Sequence, residues 1–302
     1  MSAILSGPCG RSDFPDPFVL TTSSGYVAYG TNAPGANIQV RTSADLRTWA
    51  AGADALPNLP SWAAPGFTWS PAVLARDNNE AYTLWYAVRH AASGRQVLSV
   101  AHATSPVGPF EDRSPGPAVA QLDLGGSIDP SPFVDKDGTP YLCWKADSNA
   151  IDRPATLWAQ PLRGDGGAVV GEPTRLLVHD RRWERPLIEA PSMVFADGYW
   201  LFYSGGWWES DRYGIGYATA PHPLGPWKKQ SRRHPWASSS PQALGPGGAE
   251  AFRGHHGSLY LAYHAWSDGA VGYGAGGART LRIGELDMSE STPALTPLRS
   301  SG

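Results

Sequence analysis

Three features of the sequence predict an all-β fold, a five-bladed β-propeller with about four antiparallel strands per blade. Helical periodicity is hard to find anywhere in the 302 residues. Short runs rich in Val, Ile, Thr, Tyr, Phe and Trp recur between clusters of Gly, Pro, Asn and Asp. The runs also repeat five times, at a period of roughly 55 to 60 residues that belongs to propellers and solenoids. A β-sandwich or a two-domain all-β chain would give similar short strands. The repeat separates them: Gly108-Pro109-Phe110 and Gly225-Pro226-Trp227 close two copies with nearly the same tripeptide. Residues 1–302 are therefore read as one propeller domain.

Each copy opens with an apolar strand, a tight polar turn and a strand dense in aromatics. In the first, Phe18-Val19-Leu20 and Tyr26-Val27-Ala28-Tyr29 flank Ser23-Ser24-Gly25. In the second, Ala72-Val73-Leu74 and Tyr82-Thr83-Leu84-Trp85-Tyr86 flank Asp77-Asn78-Asn79. The third turns at Asp135-Lys136-Asp137-Gly138, which looks like the start of a calcium loop but has no ligand at the twelfth position and continues as a strand. In the fourth, Met193-Val194-Phe195 and Tyr199-Trp200-Leu201-Phe202-Tyr203 enclose Asp197-Gly198; in the fifth, Leu259-Tyr260-Leu261-Ala262-Tyr263 follows His255-His256-Gly257. Gly and Asn supply the positive φ that hairpin turns demand. A second hairpin follows in most copies, from Ile38-Gln39-Val40, Leu98-Ser99-Val100-Ala101 and Gly214-Ile215-Gly216-Tyr217-Ala218, which brings the count to four strands.

A net charge of −3 with a pI near 6.2 gives neither a nucleic-acid footprint nor an acidic tail. The 35 Gly and 28 Pro, roughly a fifth of the chain, fall short of low-complexity disorder and so punctuate a fold. No apolar run approaches the eighteen or so residues of a spanning helix, so a membrane is not an expected partner. Cys9 and Cys143 lack metal-ligand or redox spacing, and Cys143, inside Tyr141-Leu142-Cys143-Trp144, reads as a core thiol. Met1-Ser2-Ala3-Ile4-Leu5 has no basic region and no long apolar stretch, so the expected location is the cytoplasm, or outside the cell if a leader has been removed.

In a propeller the innermost strands line a central channel, and ligand sites form at its mouth. The start of each copy therefore carries most of the information. The openings are Asp13-Phe14-Pro15-Asp16-Pro17, Trp69-Ser70-Pro71, Ser127-Ile128-Asp129-Pro130-Ser131-Pro132 and Ile188-Glu189-Ala190-Pro191. Proline at a strand entry is expected to hold the preceding residue extended and aimed at the axis. Asp16, Asp129 and Glu189 then read as three acids at equivalent repeat positions. Singly, an Asp-Pro is a turn starter, Asp129 could cap its loop and Glu189 could pair with Arg185. Together they point to one pocket. Crowded carboxyls in a low-dielectric mouth cannot all ionise, so one keeps its proton while another stays anionic. That division suits glycoside hydrolysis, where an acid protonates the departing oxygen and a carboxylate activates water or attacks directly.

The ordered set Asp13-Phe14-Pro15-Asp16-Pro17-Phe18-Val19, Trp69-Ser70-Pro71-Ala72-Val73, Ser127 to Gly138, Glu189-Ala190-Pro191, Tyr263-His264-Ala265-Trp266 and Arg279-Thr280-Leu281-Arg282-Ile283 resembles family 43 of the glycoside hydrolases. Members of that family are five-bladed propeller enzymes that trim arabinose and xylose from plant polysaccharides. The resemblance covers nearly the whole chain and implies inversion, with Asp16 as general base, Glu189 as general acid and Asp129 raising the pKa of the acid and orienting it. Base and acid would stand roughly 6.5 to 9.5 Å apart. It also implies that His264 reaches the channel and binds water or, through water, a calcium ion. A lone His is otherwise a satisfied core residue, Ca²⁺ wants six to eight oxygens, and no cofactor is required.

Arg279 resembles the family's channel arginine, holding a sugar hydroxyl or a carboxylate; the alternative is a salt bridge to Glu285 or a neighbouring blade. Trp69, Phe67, Trp144, Trp207 and Trp208 are positioned to stack on a sugar, although most propeller tryptophans pack between blades. Two departures stand out. Ala190 replaces the Gly of many relatives, and Gly245-Pro246-Gly247-Gly248-Ala249-Glu250 lacks the His of many arabinan-cleaving members. The second argues against an endo-acting arabinanase and leaves Glu250 as a fourth acid, facing the pocket or on its rim.

The expected activity is cleavage of terminal α-L-arabinofuranosyl or β-D-xylosyl residues from plant oligo- or polysaccharides. The alternatives are a sugar-binding propeller without catalysis, a retaining glycosidase, and an enzyme for another furanoside such as galactofuranose.

Overall fold

Blade 1 is built from β1 (Phe18–Thr22), β2 (Gly25–Gly30), β3 (Gln39–Ser43) and the short β4 (Ala50–Ala51), hydrogen-bonded in that order. Blade 2 holds β5 (Ala63–Arg76), β6 (Ala81–His90) and β7 (Gln96–Ala103), its fourth strand reduced to the bridges Leu98–Val119 and His102–Glu111. Blade 3 holds β8 (Ser127–Val134), β9 (Pro140–Ala146), β10 (Thr156–Pro161) and β11 (Thr174–Val178). Blade 4 holds β12 (Ile188–Phe195), β13 (Tyr199–Gly205), β14 (Gly214–Ala220) and β15 (Lys228–Lys229). Blade 5 holds β16 (Leu244–Arg253), β17 (Leu259–Trp266), β18 (Arg279–Asp287) and β19 (Ala294–Pro297). This computed structural model describes residues 3–76, 80–267 and 269–298, and the expected turn at Asp77-Asn78-Asn79 lies outside the described residues. No helix among the described residues is long and apolar enough to cross a membrane.

The chain is a five-bladed β-propeller. Its innermost strands β1, β5, β8, β12 and β16 each pack on the next, and β16 packs on β1 to close the ring. The second strands β2, β9 and β13 are buried along their whole length, which is why they read as unbroken apolar runs rather than alternating ones. Trp85 and Trp144 fill one cluster between blades 2 and 3, each burial contributing roughly 1.5–3 kcal/mol.

The segment ahead of β1 runs across blade 5. The N–H groups of Ile4, Cys9 and Phe14 donate to the carbonyls of Leu295, Leu281 and Arg279, each at 2.8 Å. Arg282, buried in β18, donates to the Ser6 carbonyl at 2.6 Å. The same segment delivers Asp16 to the axis.

A buried ion pair fixes the approach to β12. Glu184 accepts Lys229 Nζ on both oxygens (2.6 and 2.8 Å), the Tyr203 hydroxyl (2.9 Å) and the N–H groups of Asp180 and Arg181. Lys229→Met leaves that carboxylate buried without its counter-ion. The expected loss is about 3 kcal/mol, read as a lower denaturation midpoint at unchanged m-value. An unchanged midpoint would show that the pair does not hold this loop.

Candidate active site

Five residues at matching places on, or just ahead of, the inner strands share one unusual backbone conformation. Asp16 (φ 53°), Ser70 (φ 46°), Asp129 (φ 54°), Ala190 (φ 51°) and Gly248 (φ 58°) are left-handed. In β5, β8, β12 and β16 the register shifts across this position, as a β-bulge that leaves the residue unpaired and re-aims it. The expectation that proline holds the preceding residue extended is therefore corrected: the left-handed turn overrides it at all four X-Pro positions. Such a conformation costs about 1–3 kcal/mol per non-glycine residue and persists only where the surroundings over-determine it.

They do so through a relay of hydrogen bonds around the axis. Thr31 Oγ1 donates to Asp16 Oδ2 at 2.7 Å and accepts the Ser70 N–H at 3.0 Å. Ser70 Oγ donates to Asp129 Oδ1 at 2.7 Å, and the Ala190 N–H donates to Asp129 Oδ2 at 2.9 Å. The fifth place admits only glycine, since a Cβ on Gly248 would stand 2.6 Å from His264 Nδ1 and 3.1 Å from Asp16 Oδ1.

The repeat therefore does not set all three acids at one register. Asp16 and Asp129 occupy equivalent places, whereas the equivalent in blade 4 is Ala190 and Glu189 lies one residue earlier. Its side chain is held by Tyr213, whose hydroxyl donates to Oε1 at 2.8 Å, and by Lys145, whose Nζ donates to Oε2 at 3.0 Å. Lys145 also reaches Asp147 Oδ1 at 3.1 Å. Burial, reinforced by the neighbouring Glu189 carboxylate, pushes Asp129 up to about 7, so the carboxylate cluster holds a proton near neutrality. Asp129 touches the backbone beside Glu189, not the Glu189 carboxyl, and so acts on it through charge and through the Ala190 peptide.

Asp16, Asp129 and Glu189 meet in the wall of one cavity of about 630 Å³, together with Lys145, Phe67, Trp69, Trp207, Trp208 and Arg279. A separate, smaller pocket of about 30 Å³ lies along Asp16, Asp129 and Glu250. That pocket is too small to pass a sugar ring, so the cavity is blind to anything of that size. Arg279 lies with its guanidinium 4.6 Å from the Trp208 ring, donates to the Tyr273 hydroxyl, and stands 3.8 Å from Asp16 Oδ1. Trp207 and Tyr273, both 44% exposed, flank Trp208 and extend an aromatic shelf outward from the carboxylates. Phe67 packs edge-on against Trp69 beneath the Arg89 guanidinium.

Two expected places are corrected. Trp144 does not line the cavity; it is buried between blades with its indole N–H on Gln121 Oε1 at 2.8 Å. Glu250 is neither on the rim nor in the cavity. It sits deeper on the axis, holding the Ser131 and Ser192 hydroxyls at 3.1 and 3.0 Å, with burial pushing it up to about 8.

A sequence profile described as Glycosyl hydrolases family 43 matches residues 6–293. The chain belongs to this family. An arabinoxylan arabinofuranohydrolase of Bacillus subtilis is 28% identical over 287 residues, covering 82% of this chain and 52% of that protein. A β-D-galactofuranosidase of Aspergillus niger is 28% identical over 205 residues, covering 64% of this chain and 55% of that protein. The chain thus spans about half the length of these two relatives. The crystal structure of a thermostable family-43 glycoside hydrolase matches with a TM-score of 0.84 at 26% identity, over 100% of this chain and 98% of that one.

The geometry of His264 does not fit direct coordination of a calcium ion. His264 Nδ1 accepts the Asp16 N–H at 3.0 Å, and burial, with Arg279 nearby, pushes the imidazole down to about 3. The ring is therefore neutral with its hydrogen on Nε2, which is buried and has no protein partner. That nitrogen is a donor, suited to water rather than to a cation. Among the described residues no three His, Cys, Asp or Glu side chains converge with metal-ligating geometry.

Sequence reasoning missed Thr31, Lys145 and Tyr213 as partners of these carboxylates. Lys145 carried a legible signal: a lysine that directly continues the apolar run Tyr141-Leu142-Cys143-Trp144 has to find a carboxylate once buried. Tyr213 and Thr31 carried none, since each reaches the site from a loop outside the repeated openings.

Proposed function

We propose that this family 43 hydrolase removes terminal α-L-arabinofuranosyl or β-D-xylosyl residues from plant oligo- and polysaccharides with inversion of the anomeric carbon. One observation carries the reading: three carboxylates, each with its own partners, stand at the closed end of a cavity rimmed by aromatics. A pocket closed at its floor takes the end of a chain or a side branch. Asp16 takes a proton from a water as that water's oxygen bonds the anomeric carbon. The bond to the leaving oxygen breaks on the opposite face, and Glu189 gives that oxygen its proton. Asp129 fixes the Ala190 peptide beside the acid and adds negative charge to its surroundings. Arg279 and the aromatic shelf bind and orient the sugar.

The test is proton NMR of the first-formed sugar from a panel of aryl α-L-arabinofuranoside, β-D-xyloside and β-D-galactofuranoside. The expected result is turnover of one of the pentosides, with the inverted anomer appearing first. First appearance of the retained anomer, preferential turnover of the galactofuranoside, or calorimetric binding without hydrolysis would each overturn it.

A further inference from the structure

Both oxygens of Glu189 accept hydrogen bonds from fixed or charged donors, Tyr213 on Oε1 and Lys145 on Oε2. Each oxygen keeps a second lone pair, but a proton on Oε2 would share that oxygen with a cationic donor, so the acid carries its proton more readily once that donor withdraws. Tyr213 is locked: its ring stacks on His264 at 6.0 Å and 11°, and is packed so closely on Gly247 that a Cβ there would fall 1.9 Å from it. Lys145 is not locked. It has a four-carbon stem and a second acceptor already in reach, Asp147 Oδ1 at 3.1 Å, and both residues line the cavity.

We propose that Lys145 is a positioning residue that divides its ammonium between Glu189 and Asp147, and that Asp147 draws it away from Glu189 when the acid takes up its proton. The inference rests on Glu189 being the general acid and goes beyond that assignment by giving the acid a reversible clamp. The charged and titratable groups facing Glu189 are Lys145 and Asp147 at the end of β9, Asp129 on β8, and Tyr213 just ahead of β14. Asp16 stands beyond Asp129, and Glu250 on β16 lies deeper on the axis. The sign for each variant follows from charge. Removing the ammonium takes a cation away from the carboxyl and makes it hold its proton more tightly. Removing the Asp147 charge leaves the ammonium wholly on Glu189 and loosens the proton.

The experiment is kcat/KM against pH for the wild type, Lys145→Met and Asp147→Asn on an arabinoxylan oligosaccharide, whose poor leaving group makes the alkaline limb report the acid of the free enzyme. Lys145→Met is expected to move that limb up by about one pH unit or more, and Asp147→Asn to move it down by a similar amount. A purely structural role would lower the rate in both and move neither limb. Limbs that stay in place, or move in the same direction, overturn the proposal. If Lys145→Met does not fold, Asp147→Asn, at the partly exposed partner, decides alone: a downward limb supports the clamp and an unmoved one overturns it. Failure is separable from failure of the acid assignment. A Glu189→Gln enzyme as active as the wild type on the oligosaccharide sinks both, whereas one inactive on it, with unmoved limbs in the other variants, sinks the clamp only.

Discussion

Glu189→Gln is expected to lower kcat/KM on an arabinoxylan oligosaccharide by about 10³-fold, yet on the corresponding 4-nitrophenyl glycoside by only about 10-fold. Glutamine keeps the shape of the side chain and can accept the Tyr213 hydroxyl on its amide oxygen, while Lys145, now facing the NH2 group, retains Asp147 as its acceptor, so the cavity should survive. What it lacks is a proton to give. A sugar alkoxide cannot leave without one, whereas nitrophenolate can, so the loss should follow the leaving group. Initial rates on the two substrates check this. Equal losses on both would mean that Glu189 serves binding or folding and that the acid lies elsewhere.

Asp16→Asn should behave differently. The base acts on water and not on the departing group, so kcat should fall by about 10³-fold on both substrates alike, with KM changing little. Its acidic limb should vanish from the pH profile as well. The substituted amide would still accept the Thr31 hydroxyl through its oxygen, so the relay around the axis has a substitute at this link. A leaving-group-dependent loss, or retention of the acidic limb, would remove Asp16 from the role of base.

The fold was legible because its period is long and its turns are chemically explicit. Asp197-Gly198 and Gly257 sit in the turns they announce, with left-handed or other positive φ, and β2, β9 and β13 are the aromatic runs read from the chain. Asp16 and Asp129 were legible as a pair for the same reason, since repetition marks place. Glu189 was found by a pattern that misplaced it by one residue. What makes its position work is the reach of its longer side chain, and that is invisible in a motif. The left-handed turn shared by the inner strands was illegible because X-Pro by itself favours extension, and only the packing of five strands about an axis enforces the other geometry. Trp144 was misread because an aromatic near the head of a blade looks like a sugar platform until the neighbouring blade is seen to cover it.

The closing joint of the ring has a consequence of its own. Blade 1 and blade 5 share no strand; they are sewn together by the stretch from Ile4 to Phe14, and that stretch ends two residues before Asp16. Loosening of this seam is expected to displace Asp16 ahead of the sheets themselves. Loss of turnover under heat or denaturant should therefore come ahead of the collapse of β-structure, making catalysis itself the most sensitive gauge of whether the circle is shut.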